Sequence, residues 1–223
     1  MREMTEAHFA ILRRHMVEVI AMQAELGDEE LGKATLEPRV LAAMADVPRH
    51  LFVPAPLASL AYHDAPLPIG FDKTISQPFI VAVMTDLLAP RPGDTVLEVG
   101  TGLGYQSAIL ARLTRRVWSV EVVEELALEA EERLRRLGCA NVAVRVGDGS
   151  RGWAEHAPFD RILVTAAAST SPPALVEQLQ SGGRMVLPLG GAEAQLLTVL
   201  DKDESGRIAR WQLLPVRFSR LET

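Results

Sequence analysis

The chain has 223 residues, 48% of them hydrophobic and 23% charged, which suits one large soluble domain with its own core. A net charge of −6 argues against a broad nucleic-acid footprint, and no run of ~18 apolar residues offers a membrane span. One cysteine, Cys139, excludes an internal disulfide or a cysteine-cluster metal site, and no other metal-ligand spacing is found.

Residues 1–26 carry Phe9, Leu12, Met16, Val19, Ile20 and Met22 at helical spacing, predicting an amphipathic helix. Glu3, Glu6, Arg13, Arg14 and Glu18 interrupt any apolar leader core, so no signal peptide is expected and a cytoplasmic protein is. Gly27-Asp28 breaks the helix, and a second is predicted from about Glu37 to Ala45, entered through Pro38. Pro48, Pro54, Pro56, Pro66 and Pro68 punctuate an irregular region. A helix over Phe79 to Leu88 follows Gln77-Pro78 and is closed by Pro90, Pro92 and Gly93. Strands at 95–99, 116–120, 142–146, 160–165 and 184–189 then alternate with helices at about 105–113, 123–137 and 172–179. Such alternation means βαβ units and an open, mostly parallel α/β sheet with helices on both faces. Gln195–Leu200 and Arg210–Phe218 are separated by a short connection that contains Lys-Asp-Glu-Ser-Gly-Arg and has no room for a helix, so they predict a C-terminal antiparallel hairpin.

The chemistry gathers at predicted strand ends, where open α/β sheets bind their ligands. In Val96-Leu-Glu-Val-Gly-Thr-Gly-Leu-Gly-Tyr105 a strand runs into Gly100, Gly102 and Gly104 and then a helix start. Glycine lets the backbone approach a ligand closely, and the helix start offers free N–H groups and a positive dipole end. Glu121 ends the next strand, where a carboxylate accepts from two ribose hydroxyls. Gly147-Asp148-Gly149 ends the third strand and suits an exocyclic amine such as that of adenine. Thr165-Ala-Ala-Ala168 ends the fourth with small residues that leave room. A dinucleotide fingerprint has its third glycine one residue later than here, and the three strand ends together point to S-adenosylmethionine.

With these residues in place, the chain resembles the protein-L-isoaspartate O-methyltransferases over about Leu36 to Phe218. Besides the glycine motif and Gly147-Asp-Gly149, the likeness is carried by Val47-Pro-Arg-His-Leu-Phe-Val-Pro54, Pro66-Leu-Pro-Ile-Gly70 and Thr74-Ile-Ser-Gln-Pro-Phe-Ile-Val81. Further support comes from Pro158-Phe-Asp160 and Gly182-Gly-Arg184 leading to Leu187-Pro-Leu-Gly190. The resemblance implies a Rossmann-like class I methyltransferase with N-terminal helices, built as one domain over residues 1–223. Within it, 1–60 form a helical cap, 61–92 the substrate-site segment, 93–190 the cofactor-binding core and 191–223 the hairpin and tail. It implies repair of damaged proteins, by methyl transfer from S-adenosylmethionine to the free α-carboxylate of L-isoaspartyl residues. Its active-site serine falls on Ser76. Its cofactor positions fall on Thr74, Ile75, Gln77, Glu98, Gly100, Thr101, Gly102, Gly104, Glu121, Val122, Asp148, Gly149 and Thr165. Ser76, Ile80 and Ala167 fall on the substrate side. Isoaspartyl proteins and peptides are the expected partners, with no nucleic acid or membrane and with a monomer favoured.

Ser76 has a second reading, as the N-cap of the helix that follows. Departures from the family pattern are Leu103 between the last two glycines and Ser219-Arg220 in place of a Val-Pro tail. His8 and His15 share a helix face, His63-Asp64 precedes the substrate segment, and Arg112, Arg115 and Arg116 form a basic cluster suited to a helix C-terminus. On sequence, two alternatives stay open: a same-fold methyltransferase with another acceptor, and a non-catalytic interaction protein.

Overall fold

The computed structural model describes residues 4–223, so Glu3 of the N-terminal charge pattern lies outside the described residues. Thr5 precedes the first helix, α1 (Glu6–Leu26), and donates its N–H to Nδ1 of His8 at 3.0 Å, so His8 serves the helix end. Met16, Ile20 and Ala24 form the buried stripe of α1. Met22 was expected with them but is 54% exposed, because it stands about 200° round the helix from Ile20. Two short helices follow, α2 (Asp28–Leu31) and α3 (Pro38–Asp46). The proline-rich region forms two 3-10 turns, Arg49–Phe52 and Ala55–Leu60, which bring its Val47–Pro54 motif under α1. Phe9 stacks on His50 with centroids 3.8 Å apart, and Arg13 donates to the Tyr62 hydroxyl at 3.2 Å.

A small antiparallel hairpin comes next, β1 (Leu67–Gly70) and β2 (Lys73–Ile75), which the sequence had left irregular. Pro68 inside β1 hides it, since proline is confined to edge strands. Helix α4 (Pro78–Leu88) follows, and Ala89 in a left-handed conformation ends it.

The main sheet comprises β3 (Thr95–Val99), β4 (Arg116–Glu121), β5 (Val142–Val146), β6 (Phe159–Val164), β7 (Leu179–Gly190), β8 (Gln195–Lys202) and β9 (Ile208–Val216). Its order is β5-β4-β3-β6-β7-β8-β9, with β3 to β7 pairing in parallel and β8 and β9 closing it antiparallel. The expected helices are α5 (Tyr105–Leu113), α6 (Glu124–Arg136) and α7 (Pro173–Gln178). The expected boundaries hold to within two residues except at β7, which begins at Leu179 rather than 184 and runs through Gly182-Gly183.

The two faces are unequally covered. One carries a large apolar cluster that joins Ile20, Val40, Met84, Ile109 and Leu126 of the longer helices to Val96, Val117 and Val186 of the sheet. The other packs Leu97, Val120 and Ile162 against Leu175 of the six-residue α7 and against Trp153. Alternation along a strand sends Val96 to one face and Leu97 to the other. The parallel core therefore reads as a continuous apolar run, and the functional groups stand where it stops.

Candidate active site

The carboxyl ends of four parallel strands lie side by side. The Gly100 N–H donates to Val120 O at 2.8 Å, Gly147 N–H to Glu121 O at 2.8 Å, and Thr165 N–H to Val99 O at 2.9 Å. These bonds turn the ends of β3 to β6 into one shelf. Above it the glycine loop runs from Gly100 (φ +95°) to Gly104 (φ +92°), which is the N-cap of α5. Gly100 is dictated by space as well as by φ. The Thr165 hydroxyl donates to the carbonyls of Val99 (3.0 Å) and Gly100 (2.7 Å), and a Cβ on Gly100 would sit 2.3 Å from it. Thr165 therefore clamps the loop.

Glu121 faces this loop. Its Oε2 accepts from the Gly102 N–H at 2.7 Å and its Oε1 from the Val123 N–H at 3.1 Å. Each oxygen keeps a second acceptor direction, so two hydroxyls of a ribose can still be bound by a carboxylate whose rotamer the backbone has already fixed.

A cavity of about 450 Å³ opens over the shelf, within the ~300–1,000 Å³ usual for small-molecule sites. Of the expected residues, Thr74, Ser76, Gln77, Ile80, Gly100, Gly102, Glu121, Val122, Gly149 and Thr165 line it. Ile75 and Thr101 line an adjoining hollow of about 60 Å³ that shares Ser76 and Gly100. The other four stand outside both. Gly104 starts α5 behind the loop, against Leu134. Asp148 caps the 3-10 turn Gly149–Arg151: its Oδ1 accepts from the Ser150 N–H at 2.9 Å and its Oδ2 lies 3.3 Å from Arg151 Nε. Ala167 is buried with its N–H and carbonyl spent on Ser219 and Leu221, and it is Ala166 that lines the cavity.

Glu98 is the fourth. It is fully buried under the shelf, where Ser119 donates to its Oε2 at 2.6 Å, as does Ser107, and the Thr101 hydroxyl lies 2.6 Å from that of Ser119. Burial pushes its carboxyl up to about 7, against the pull of the two serine hydroxyls. Glu98 thus ties β3, β4, α5 and the loop residue Thr101 together from below.

Ser76 is not the N-cap of α4. That position belongs to Gln77, which forms no side-chain cap. Asp64 caps the helix from outside instead: its Oδ1 accepts from the Phe79 N–H at 2.9 Å, and its Oδ2 from the side chains of Gln77 (2.7 Å) and Gln23 (2.9 Å). Gln23 belongs to α1, so the N-terminal helix props the substrate segment through Asp64. The Ser76 carbonyl accepts from the buried Arg49 at 2.7 Å, whose Nε is bound to Ala61 O at 2.7 Å. Arg49 thus fixes the Ser76 backbone, and Ser76 lines the cavity.

Sequence reasoning missed the part played by two of these groups. Asp64 had been read as part of a loop ahead of the substrate segment, with no capping role. Arg49 lay in a quoted motif with no role given to it. The tail, whose departures from the family pattern the sequence had marked, forms a wall of the cavity from Pro215 to Glu222. It is pinned by Gln195, which exchanges hydrogen bonds with the Phe218 backbone (2.7 and 3.1 Å), by Ala167, and by an ion pair from Lys73 to Glu222. Ser219 and Arg220, the family departures, are therefore wall residues. The Arg115 side chain donates to Thr95 at the start of β3 and Arg116 covers Trp118, so this basic cluster serves the opposite end of the sheet. His156 packs face to face on Trp118.

A family model described as protein-L-isoaspartate(D-aspartate) O-methyltransferase matches residues 23–222, a wider span than the sequence motifs mark out. The chain is 55% identical over 219 residues to Protein-L-isoaspartate O-methyltransferase 1 of Polaromonas sp. (strain JS666), covering 98% of this chain and 93% of that one. It is 56% identical over 211 residues to Protein-L-isoaspartate O-methyltransferase 2 of Syntrophobacter fumaroxidans, covering 94% and 85%. A solved structure described as a protein-L-isoaspartate O-methyltransferase matches with a TM-score of 0.78 at 27% identity, over 93% of this chain and 66% of that one. A putative enzyme of that description from Plasmodium falciparum, in complex with S-adenosyl-L-homocysteine, gives 0.78 at 23% identity over 94% and 98%, a likeness of fold.

Proposed function

The chain belongs to the protein-L-isoaspartate(D-aspartate) O-methyltransferase family, and on that ground we propose that its strand-end cavity holds the methyl donor along the glycine loop and the acceptor carboxylate at Ser76. The enzyme is a protein-repair methyltransferase that uses S-adenosylmethionine to esterify the free α-carboxylate of L-isoaspartyl residues in damaged proteins and peptides. When bound, the donor supplies an electrophilic methyl group on a sulfonium sulfur. The chain's own residues supply placement.

The cavity fits such a donor on three observations. A Cβ at Gly100 or Gly149 would collide with Thr165 or Val99, at 2.3 and 2.4 Å, so both are cut back to backbone beside the cavity. Val99, Val120 and Val122 provide an apolar seat for a base. Glu121 stands at the rim of that seat with acceptor capacity for a ribose.

The acceptor needs no strong base, because a carboxylate of pKa ~3.9 is already ionised at neutral pH. No histidine is found among the described residues that line the cavity. What the displacement needs is one carboxylate oxygen in line with the methyl group at near-attack distance. Ser76 meets that need by donating its hydroxyl to the other oxygen. The N–H groups of Gln77 and Ile80, at the start of α4, reinforce it through the helix dipole. The observation that carries this assignment is that Asp64 has taken over the capping of α4, while Ser76 lines the cavity.

The test is methyl transfer to an isoaspartyl peptide beside its aspartyl twin, read as base-labile methyl groups released as methanol. Only the isoaspartyl peptide is expected to be modified; equal labelling of both refutes the acceptor assignment. The same proposal covers a cytoplasmic enzyme acting as a monomer on polypeptides, without nucleic acid. Among the described residues no helix is long and apolar enough to cross a membrane.

A further inference from the structure

Ile69 and Lys73 both stand in the cavity wall, and between them the chain reverses through Gly70-Phe71-Asp72. Gly70 pairs with Lys73, which makes Phe71 and Asp72 the two central residues of a two-residue hairpin turn. Both have positive φ, +53° and +56°, as the turn that matches strand twist demands. Asn-Gly or Asp-Gly takes these angles easily, whereas a bulky residue at positive φ is an outlier. Among the described residues Phe71 is the only aromatic one with positive φ.

The fold gives nothing back for this strain. Phe71 is 53% exposed and belongs to neither apolar cluster. The tip lies two residues from each wall residue, roughly 7 Å along the strands, and so it stands at the rim. Strained side chains that persist at the mouth of a site point to a role in binding. A polypeptide whose isoaspartyl carboxylate sits at Ser76 leaves the cavity past the hairpin or past the tail. The tail side presents Arg217 and Arg220, both exposed, and the hairpin side presents an aromatic ring.

We propose that Phe71 is a specificity-determining residue that receives an apolar side chain of the substrate segment flanking the isoaspartyl residue, resting on the isoaspartyl reading of the cavity. The enzyme then favours damaged sites with an apolar residue a few positions away over the same lesion in a polar segment.

The experiment compares three peptides: an isoaspartyl tripeptide, a longer isoaspartyl peptide with leucine and valine flanks, and the same length with serine flanks. They are assayed with the parent enzyme, Phe71→Asn and Phe71→Tyr. The parent should prefer the apolar-flanked peptide, and Phe71→Asn should raise its KM roughly tenfold, the scale of one apolar contact. Turnover of the tripeptide and affinity for S-adenosylhomocysteine should not change, and Phe71→Tyr should retain the preference. Because asparagine tolerates positive φ, Phe71→Asn should also unfold at a higher temperature, which separates lost docking from lost folding. An Asn variant with the parent's preference overturns the inference alone. A parent enzyme that binds S-adenosylhomocysteine yet methylates none of the three peptides overturns the functional reading and the inference together.

Discussion

Replacing Glu98 by glutamine removes a buried charge while keeping the shape of the side chain. Glu98 is fully buried, its Oε2 is held by Ser107 and Ser119, and its Oε1 has no protein partner. Burial raises its carboxyl from an ordinary 4.5 to about 7, with the charge of Glu121 adding to the rise and the serine bonds opposing it. Between those two values the native protein binds more protons than the unfolded chain. The contribution of Glu98 is thus fully present below about pH 4.5 and is lost as pH rises through about 7. At 1.36 kcal/mol per pKa unit the loss is roughly 3 kcal/mol. A glutamine at 98 accepts the same two serine bonds and never ionises; its unpartnered NH₂ costs about 1–3 kcal/mol at every pH. Urea unfolding at steps from pH 4.5 to 8 should therefore show Glu98→Gln gaining on the parent by roughly 3 kcal/mol across the range. Other titrating groups cancel in that difference. Affinity for S-adenosylhomocysteine should change by less than about twofold, since Glu98 lies under the shelf rather than in the cavity. Stability curves that fall in parallel would refute the buried-acid account, and a tenfold loss of affinity would return Glu98 to the cofactor site.

Three further substitutions test the site. Ser76→Ala should lower kcat/KM for isoaspartyl peptides by roughly 10²-fold while cofactor affinity stays within about twofold, the mark of a donor that acts on the acceptor; equal losses in both would misplace its role. Gly100→Ala, at φ +95° and with a Cβ 2.3 Å from the Thr165 hydroxyl, should cost roughly 2–4 kcal/mol in denaturant and abolish S-adenosylhomocysteine binding by calorimetry. Asp64→Ala uncaps Phe79 and frees Gln77 and Gln23, so it should cost about 1–2 kcal/mol. A fall in turnover should accompany that loss, and unchanged turnover would show that α4 needs no external cap to hold Ser76.

Much of this architecture was legible in the sequence because the signals that set it are local. Largely apolar runs of five or six residues marked the parallel strands, and proline at the first turn marked the starts of α3 and α4. Leu179–Gly183 was harder to read, since glycines inside a strand weaken its pattern. The β1–β2 hairpin carries a proline in one strand and Phe71-Asp72 at its turn, where the usual signal is Asn-Gly.

The residue types at the strand ends were likewise legible, but not their tasks. Glu98, Glu121 and Asp148 are all acids at or near predicted strand ends in the sequence. Only packing makes one a buried acid, one a cavity carboxylate and one a turn cap. The same holds for Ser76, whose place at the cavity depends on Asp64, 13 residues before Gln77, and on Arg49, 27 residues before Ser76 itself. The tail closes the cavity through an ion pair from Glu222 to Lys73, 149 residues apart. By itself the sequence determined the strand-end shelf and the kind of ligand it takes, because periodicity and turn chemistry act over a few neighbouring residues. The tertiary structure alone decided which polar groups are spent on the fold and which stay available to substrate, because a hydrogen-bonding group is free only when every distant partner has been accounted for.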